Sequence, residues 1–161
     1  MTDVLIGETG GKEMEVEKPL NILLVEDDKK LVPLIGLILK GNNVTIFDNV
    51  EQALGKLRES KGLGVTFDWV ITDRGLDDGK GGVDKEGGFR VAKAIMDERL
   101  GNPFVVLFTG SAIEVRHENT DQQLKEKGIH HVLGKGSVVA DFKNAIQLAR
   151  EFQRQFQSPQ S

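Results

Sequence analysis

Glu26, Asp27, Asp73, Thr109 and Lys135 are the residues through which this chain could do chemistry, and each closes a short apolar run. Asn21–Val25 leads into Glu26-Asp27-Asp28, and residues 67–72 lead into Asp73. Residues 103–108 lead into Thr109-Gly110-Ser111, and residues 129–133 lead into Gly134-Lys135-Gly136. Neighbouring carboxylates repel, and each makes ionisation of the other more costly. A hard divalent cation removes that cost. Mg²⁺ takes oxygen ligands from few carboxylates and keeps several waters. A lysine beside such a cation is a point charge for a phosphate oxygen, and a threonine hydroxyl can donate to a second one. The set is suited to a phosphoryl group. Taken singly, each residue has a plainer reading: Glu26-Asp27-Asp28 as a helix cap, Asp73 as the start of a turn, Lys135 as a surface lysine. Only their joint placement overturns those readings.

The elements between these residues supply the joint placement. After Asp28, Leu31, Val32, Leu34, Ile35, Ile38 and Leu39 recur at helical spacing, with Pro33 near the first turn. A short strand at 44–47 follows, then a helix capped by Asp48 or Asn49 with Val50, Ala53, Leu54 and Leu57 inward. A Gly- and Asp-rich stretch at 74–87 reads as a long flexible loop. A third helix covers about 88–100, with Phe89, Val91, Ala92, Ile95 and Met96 facing in. The spacing predicts one polar helix over 113–127 and a last helix from near Ser137, striped by Val138, Phe142, Ala145, Ile146, Ala149, Phe152 and Phe156. Strand and helix alternate five times, which implies a parallel sheet with helices on both faces. All strand C-termini then lie on one edge, so residues far apart in sequence converge there.

Composition narrows the class. The chain has 161 residues, 39% hydrophobic and 29% charged, which fits one globular domain. Residues 1–18 read as a mobile leader, 19–157 as the domain and 158–161 as a frayed tail. A net charge of −4 offers no footprint for direct nucleic-acid binding. The absence of cysteine removes disulfides, thiolate metal sites and thiol nucleophiles. No apolar run reaches membrane-spanning length and no signal peptide is visible, so a cytoplasmic protein is expected. His130 and His131 are adjacent on a strand and point to opposite faces, so they read as surface histidines rather than a metal pair.

The runs Ile22-Leu23-Leu24-Val25-Glu26-Asp27, Val70-Ile71-Thr72-Asp73, Val106-Leu107-Phe108-Thr109-Gly110 and Val132-Leu133-Gly134-Lys135 resemble the four signatures of two-component response-regulator receiver domains. The resemblance covers roughly residues 20–157, in order. It implies a single doubly wound five-stranded parallel sheet in the flavodoxin-like order 2-1-3-4-5. It also implies Asp73 as phospho-acceptor, Glu26 and Asp27 as the acidic pair for Mg²⁺, and the Gly75 carbonyl as a further ligand. Thr109 falls at the switch hydroxyl and Lys135 at the lysine that pairs with the phosphoryl group. The implied donor is a histidine kinase or phosphotransfer protein.

The sequence departs from the family pattern at four places. Asp77 stands where the family usually has a proline, and the family's Asp-Gly falls at Glu86-Gly87 after an insertion around 79–85. Lys135-Gly136 replaces Lys-Pro, and Val132 stands at the aromatic switch position. The short tail after residue 157 leaves no room for an effector domain, so output is expected through a protein partner, a homodimer or onward phosphotransfer. Two alternatives stay open. One is a degenerate receiver that binds a partner without phosphorylation; the other is a small Mg²⁺-dependent phosphohydrolase on the same fold.

Overall fold

The structure, a computed structural model, describes residues 18–78, 80–136 and 138–157. The expected leader (beyond Lys18) and frayed tail, with Gly79 and Ser137, lie outside the described residues. Five parallel strands form the main sheet: β1 (Asn21–Val25), β2 (Asn43–Phe47), β3 (Trp69–Thr72), β6 (Phe104–Thr109) and β7 (His131–Gly134). Their order is β2-β1-β3-β6-β7, the doubly wound order expected. The helices are α1 (Leu31–Ile38), α2 (Val50–Gly62), α3 (Gly87–Asp97), α4 (Ala112–Glu118), α5 (Asp121–Glu126) and α6 (Val138–Gln157). Among the described residues no helix is long and apolar enough to cross a membrane.

The sheet divides the core in two. Side chains alternate across a strand, so Leu23, Val25, Val70, Val105, Leu107 and Val132 pack beneath α2 to α5. Ile22, Leu24, Trp69, Ile71, Phe104, Val106, Phe108 and Leu133 pack beneath α1 and α6. Every residue of β3 and β6 is buried, as central parallel strands require, whereas β2 at the edge is half open. Each fully buried Leu, Ile or Phe contributes about 1.5–3 kcal/mol relative to exposure. Met96, expected to face in, is 42% exposed. At the far end of α6, Phe152 packs 4.7 Å from the His130 ring, while Phe156 is 54% exposed.

Three local readings change. The stretch 74–87 is not a featureless loop: it holds an antiparallel hairpin, β4 (Leu76–Asp77) against β5 (Val83–Asp84). Leu76 is completely buried and anchors it, and Asp78 Oδ1 accepts from the Lys80 and Gly82 amides to close its turn. The helix over 113–127 is two helices, because Asn119 is extended and Thr120 starts a capping box with Gln123. Thr120-x-x-Gln123 carried that break in the sequence. His130 is more than a surface histidine: its Nδ1 accepts the Val105 amide at 2.9 Å, and its own amide donates to the Val105 carbonyl at 2.9 Å, extending the ladder just ahead of β7.

Helix α3 begins almost on top of the end of β3. A Cβ on Gly88 would lie 2.2 Å from the Asp73 carbonyl oxygen and 2.7 Å from Leu107 Cδ1. Gly55, exposed within α2, has no atom within 4 Å of such a Cβ. Gly88→Ala is therefore expected to destabilise by about 1–3 kcal/mol through overpacking. Gly55→Ala should stabilise by about 0.5–1 kcal/mol through helix propensity. Urea midpoints of the two variants should move in opposite directions.

Candidate functional site

Strand register assembles the site. Val25 pairs with Phe47 and Thr72, Thr72 with Leu107, and Thr109 with Gly134, so β1, β2 and β3 end level while β6 and β7 run two residues further. The residues just beyond them, Glu26, Asp73 and Lys135, share one edge with Thr109. The Asp73 amide donates to the Val25 carbonyl at 3.0 Å and the Glu26 amide to the Phe47 carbonyl at 2.9 Å, so both backbones continue the ladders. Lys135 Nζ donates to Asp73 Oδ2 at 2.6 Å and lies 3.0 Å from Glu26 Oε1. The ammonium also sits 5.2 Å from the centre of the Phe108 ring. Glu26 is 1% exposed and Asp73 8%.

Burial, and then the charge of Asp73, push the Glu26 carboxyl up to about 7; the Asp28 amide and Lys135 only partly oppose this. Asp27 is also raised, by burial first and by Asp73 second, with the Asp77 amide pulling the other way. Burial disfavours the Lys135 charge, but the hydrogen bond and charge of Asp73, and then Glu26, outweigh it and raise its pKa. One ammonium serves three acidic groups, which leaves the cluster short of positive charge.

A divalent cation fits that shortage. Glu26, Asp27 and Asp73 each offer a carboxylate oxygen, and these atoms lie within 4.8 Å of one another. Glu26 Oε1 is buried without a well-aligned hydrogen bond, although Lys135 is close. Oxygen-only donors of this kind suit Mg²⁺. Gly75 lies two residues beyond Asp73, where an added Cβ would lie 3.6 Å from Val83 Cγ1 of the hairpin.

Thr109 is buried at the same edge, but its hydroxyl is engaged by Ser111, through the Ser111 Oγ at 3.0 Å and the Ser111 amide at 3.1 Å. Val132, at the position expected for an aromatic ring, is buried, and Arg116 of α4 donates to its carbonyl at 2.6 Å. Sequence reasoning missed several supporting groups. Arg74, next to Asp73, joins Glu86 before α3 to Glu118 of α4, at 3.2 Å each, and lies over the Phe89 ring. The close approach to the end of β3 is made by Gly88, one residue after the Glu86-Gly87 pair singled out in the sequence. The Asp77 amide donates to Asp27 Oδ2 at 3.1 Å. An amide donor carries no side-chain signal, so only the substitution of Asp77 for the family's proline could have pointed to it.

No protein-family model matches the chain, and no curated protein matches it in sequence. Solved structures do match. The receiver domain of a sensor histidine kinase from Pseudomonas aeruginosa, with a magnesium ion coordinated in its active-site cleft, is 22% identical. That match covers 80% of this chain and 95% of the other, with a TM-score of 0.61. A response regulator receiver domain protein from Clostridium thermocellum is 21% identical over 85% of this chain and 98% of its own, with a TM-score of 0.60. The Vibrio cholerae chemotaxis protein CheY4 is 19% identical over 81% and 98%, with a TM-score of 0.63. The chain has the fold of these receiver domains.

The Glu26 carboxyl is raised above its ordinary value of 4.5, so the folded state holds this proton more tightly than the unfolded chain. Its stabilising effect is complete below about pH 4.5 and is lost as pH rises through about 7. Without divalent cation, folding stability should fall across that window, by on the order of 3 kcal/mol from this group. Urea midpoints at a series of pH values should show the slope in chelator, and Glu26→Gln should flatten it.

Proposed function

We propose that the chain is a receiver domain of the two-component response-regulator family, a phosphoacceptor signalling module of the cytoplasm. Asp73 accepts a phosphoryl group from a histidine kinase or phosphotransfer protein in a Mg²⁺-dependent reaction. The observation that carries this reading is the Lys135–Asp73 contact of 2.6 Å inside a cluster of three carboxylates at the carboxyl edge of the sheet. The fold shared with receiver domains supports it, as does the magnesium in the cleft of one of them.

The chemistry follows from the placement. An oxygen of Asp73 attacks phosphorus in line with the leaving group. An O–P bond forms, giving an acyl phosphate, and the donor's P–N bond breaks, with its electron pair leaving on the imidazole; a small phosphodonor breaks a P–O bond instead. Mg²⁺, held by Glu26, Asp27, Asp73 and the Gly75 carbonyl, would supply charge neutralisation for the transferring group. Asp27 would be the more direct ligand, and Glu26 would act through water. Lys135 moves its ammonium from the Asp73 carboxylate to a phosphoryl oxygen. The Thr109 hydroxyl exchanges Ser111 for a second one. Asp73 is consumed as an acceptor, so the chain is a signalling module rather than a turnover enzyme. Output goes to a protein partner, through a homodimer or by onward transfer. Phosphorylation biases a two-state equilibrium.

Incubation with acetyl phosphate, followed by intact mass, tests the reading. One phosphoryl adduct is expected with Mg²⁺, none in chelator and none in Asp73→Asn. Absence of any adduct with Mg²⁺ present would overturn the reading and leave a phosphorylation-independent binding module. Multiple turnover of a phosphomonoester would instead indicate a hydrolase.

A further inference from the structure

The hydrogen bond from the Asp77 amide to Asp27 Oδ2 joins segments fifty residues apart. The donor is held from three sides. Leu76 beside it is completely buried, Val83 pairs with it in the hairpin, and Asn49 bridges to it from the loop before α2. Asp27 itself lies outside any helix or strand, between β1 and α1, and the next amide bonds Glu26 rather than Asp27. Residue 77 as a whole is exposed, and the contact uses its backbone N–H. A carboxylate has two oxygens. One that accepts from a fixed amide leaves the other to face the cluster.

We propose that the Asp77 N–H is the positioning group for Asp27 in the divalent-cation site, which makes the inserted hairpin part of that site. This rests on the receiver reading above. Ligating carboxylates are commonly oriented by an outer hydrogen bond, and loss of such a partner weakens metal affinity by about 10–100-fold. The coupling is reciprocal: the hairpin that raises cation affinity is itself steadied when the cation binds. A proline at 77 has no N–H and could not make this link. Asp77 in the place of the family's proline and the hairpin it belongs to are then one adaptation.

The experiment is a Mg²⁺ titration followed by calorimetry and by ¹H–¹⁵N spectra. Asp77→Pro should bind Mg²⁺ about 10-fold more weakly. Asp77→Ala, which puts the N–H back, should restore the affinity. In the unaltered protein the Asp77 amide signal should move with the same midpoint as those of Glu26 and Asp27, and its hydrogen exchange should slow. Equal loss in the Ala and Pro variants would overturn the proposal, because the side chain would then be responsible. Unchanged affinity in a folded Pro variant would also overturn it, as would an Asp77 amide that ignores Mg²⁺, while an acetyl-phosphate adduct would leave the receiver reading standing. If the Pro variant does not fold, the amide measurement on the unaltered protein decides. No Mg²⁺ binding by the unaltered protein would overturn both.

Discussion

Lys135 stands 2.6 Å from Asp73 and 3.0 Å from Glu26, and much of the domain's construction answers the cost of burying those carboxylates. An unpaired buried charge is among the most destabilising features a fold can hold. Here the charges lie at the open end of a parallel sheet. Backbone ladders fix Glu26 and Asp73 in place, and a lysine from the last strand's exit reaches back across them. The edge order β1, β3, β6, β7 makes this reach short.

The neutralisation is incomplete. One ammonium faces three acids, and burial holds a proton on Glu26 to about pH 7. A site left short of positive charge has affinity for cations built into it. On the proposed receiver reading, a phosphoryl group added there would require compensation at once, from a cation or from Lys135. Groups one step out are arranged around that need. Arg74 ties the start of α3 to α4 beside Asp73, Arg116 ties α4 to the Val132 carbonyl, and the Thr109 hydroxyl is parked on Ser111. Two of these connections run to the short helix α4 and the third to Ser111 just before it, in a chain that has no aromatic ring at 132.

Much of this was legible in the sequence. Apolar runs that end on polar residues located the buried strands, and helical periodicity between them implied a parallel sheet. Glu26, Asp27, Asp73 and Lys135 could be brought together before any coordinates because a parallel sheet leaves them no other edge. What escaped had a common physical cause. The hairpin at 76–84 has strands of two residues, too short to show a period. The break at Asn119 depends on a capping box that competes with a continuous helical pattern. The His130–Val105 and Asp77–Asp27 bonds each use a backbone amide, and residue types do not reveal which amide meets which acceptor. Thr109 was placed at the right edge, but the rotor of a hydroxyl depends on its neighbours.

The division of the core by the sheet has a practical side. The sole tryptophan, Trp69, is completely buried on the α1 and α6 side, 6.2 Å from Phe142. It starts the strand whose far end leads into Asp73, on the order of 13 Å away at a strand's rise per residue. Its indole is thus set apart from the acidic cleft by distance. Intrinsic fluorescence of this protein is a gauge of whether the α1–α6 half is intact. What happens at the carboxyl edge has to be read by other probes.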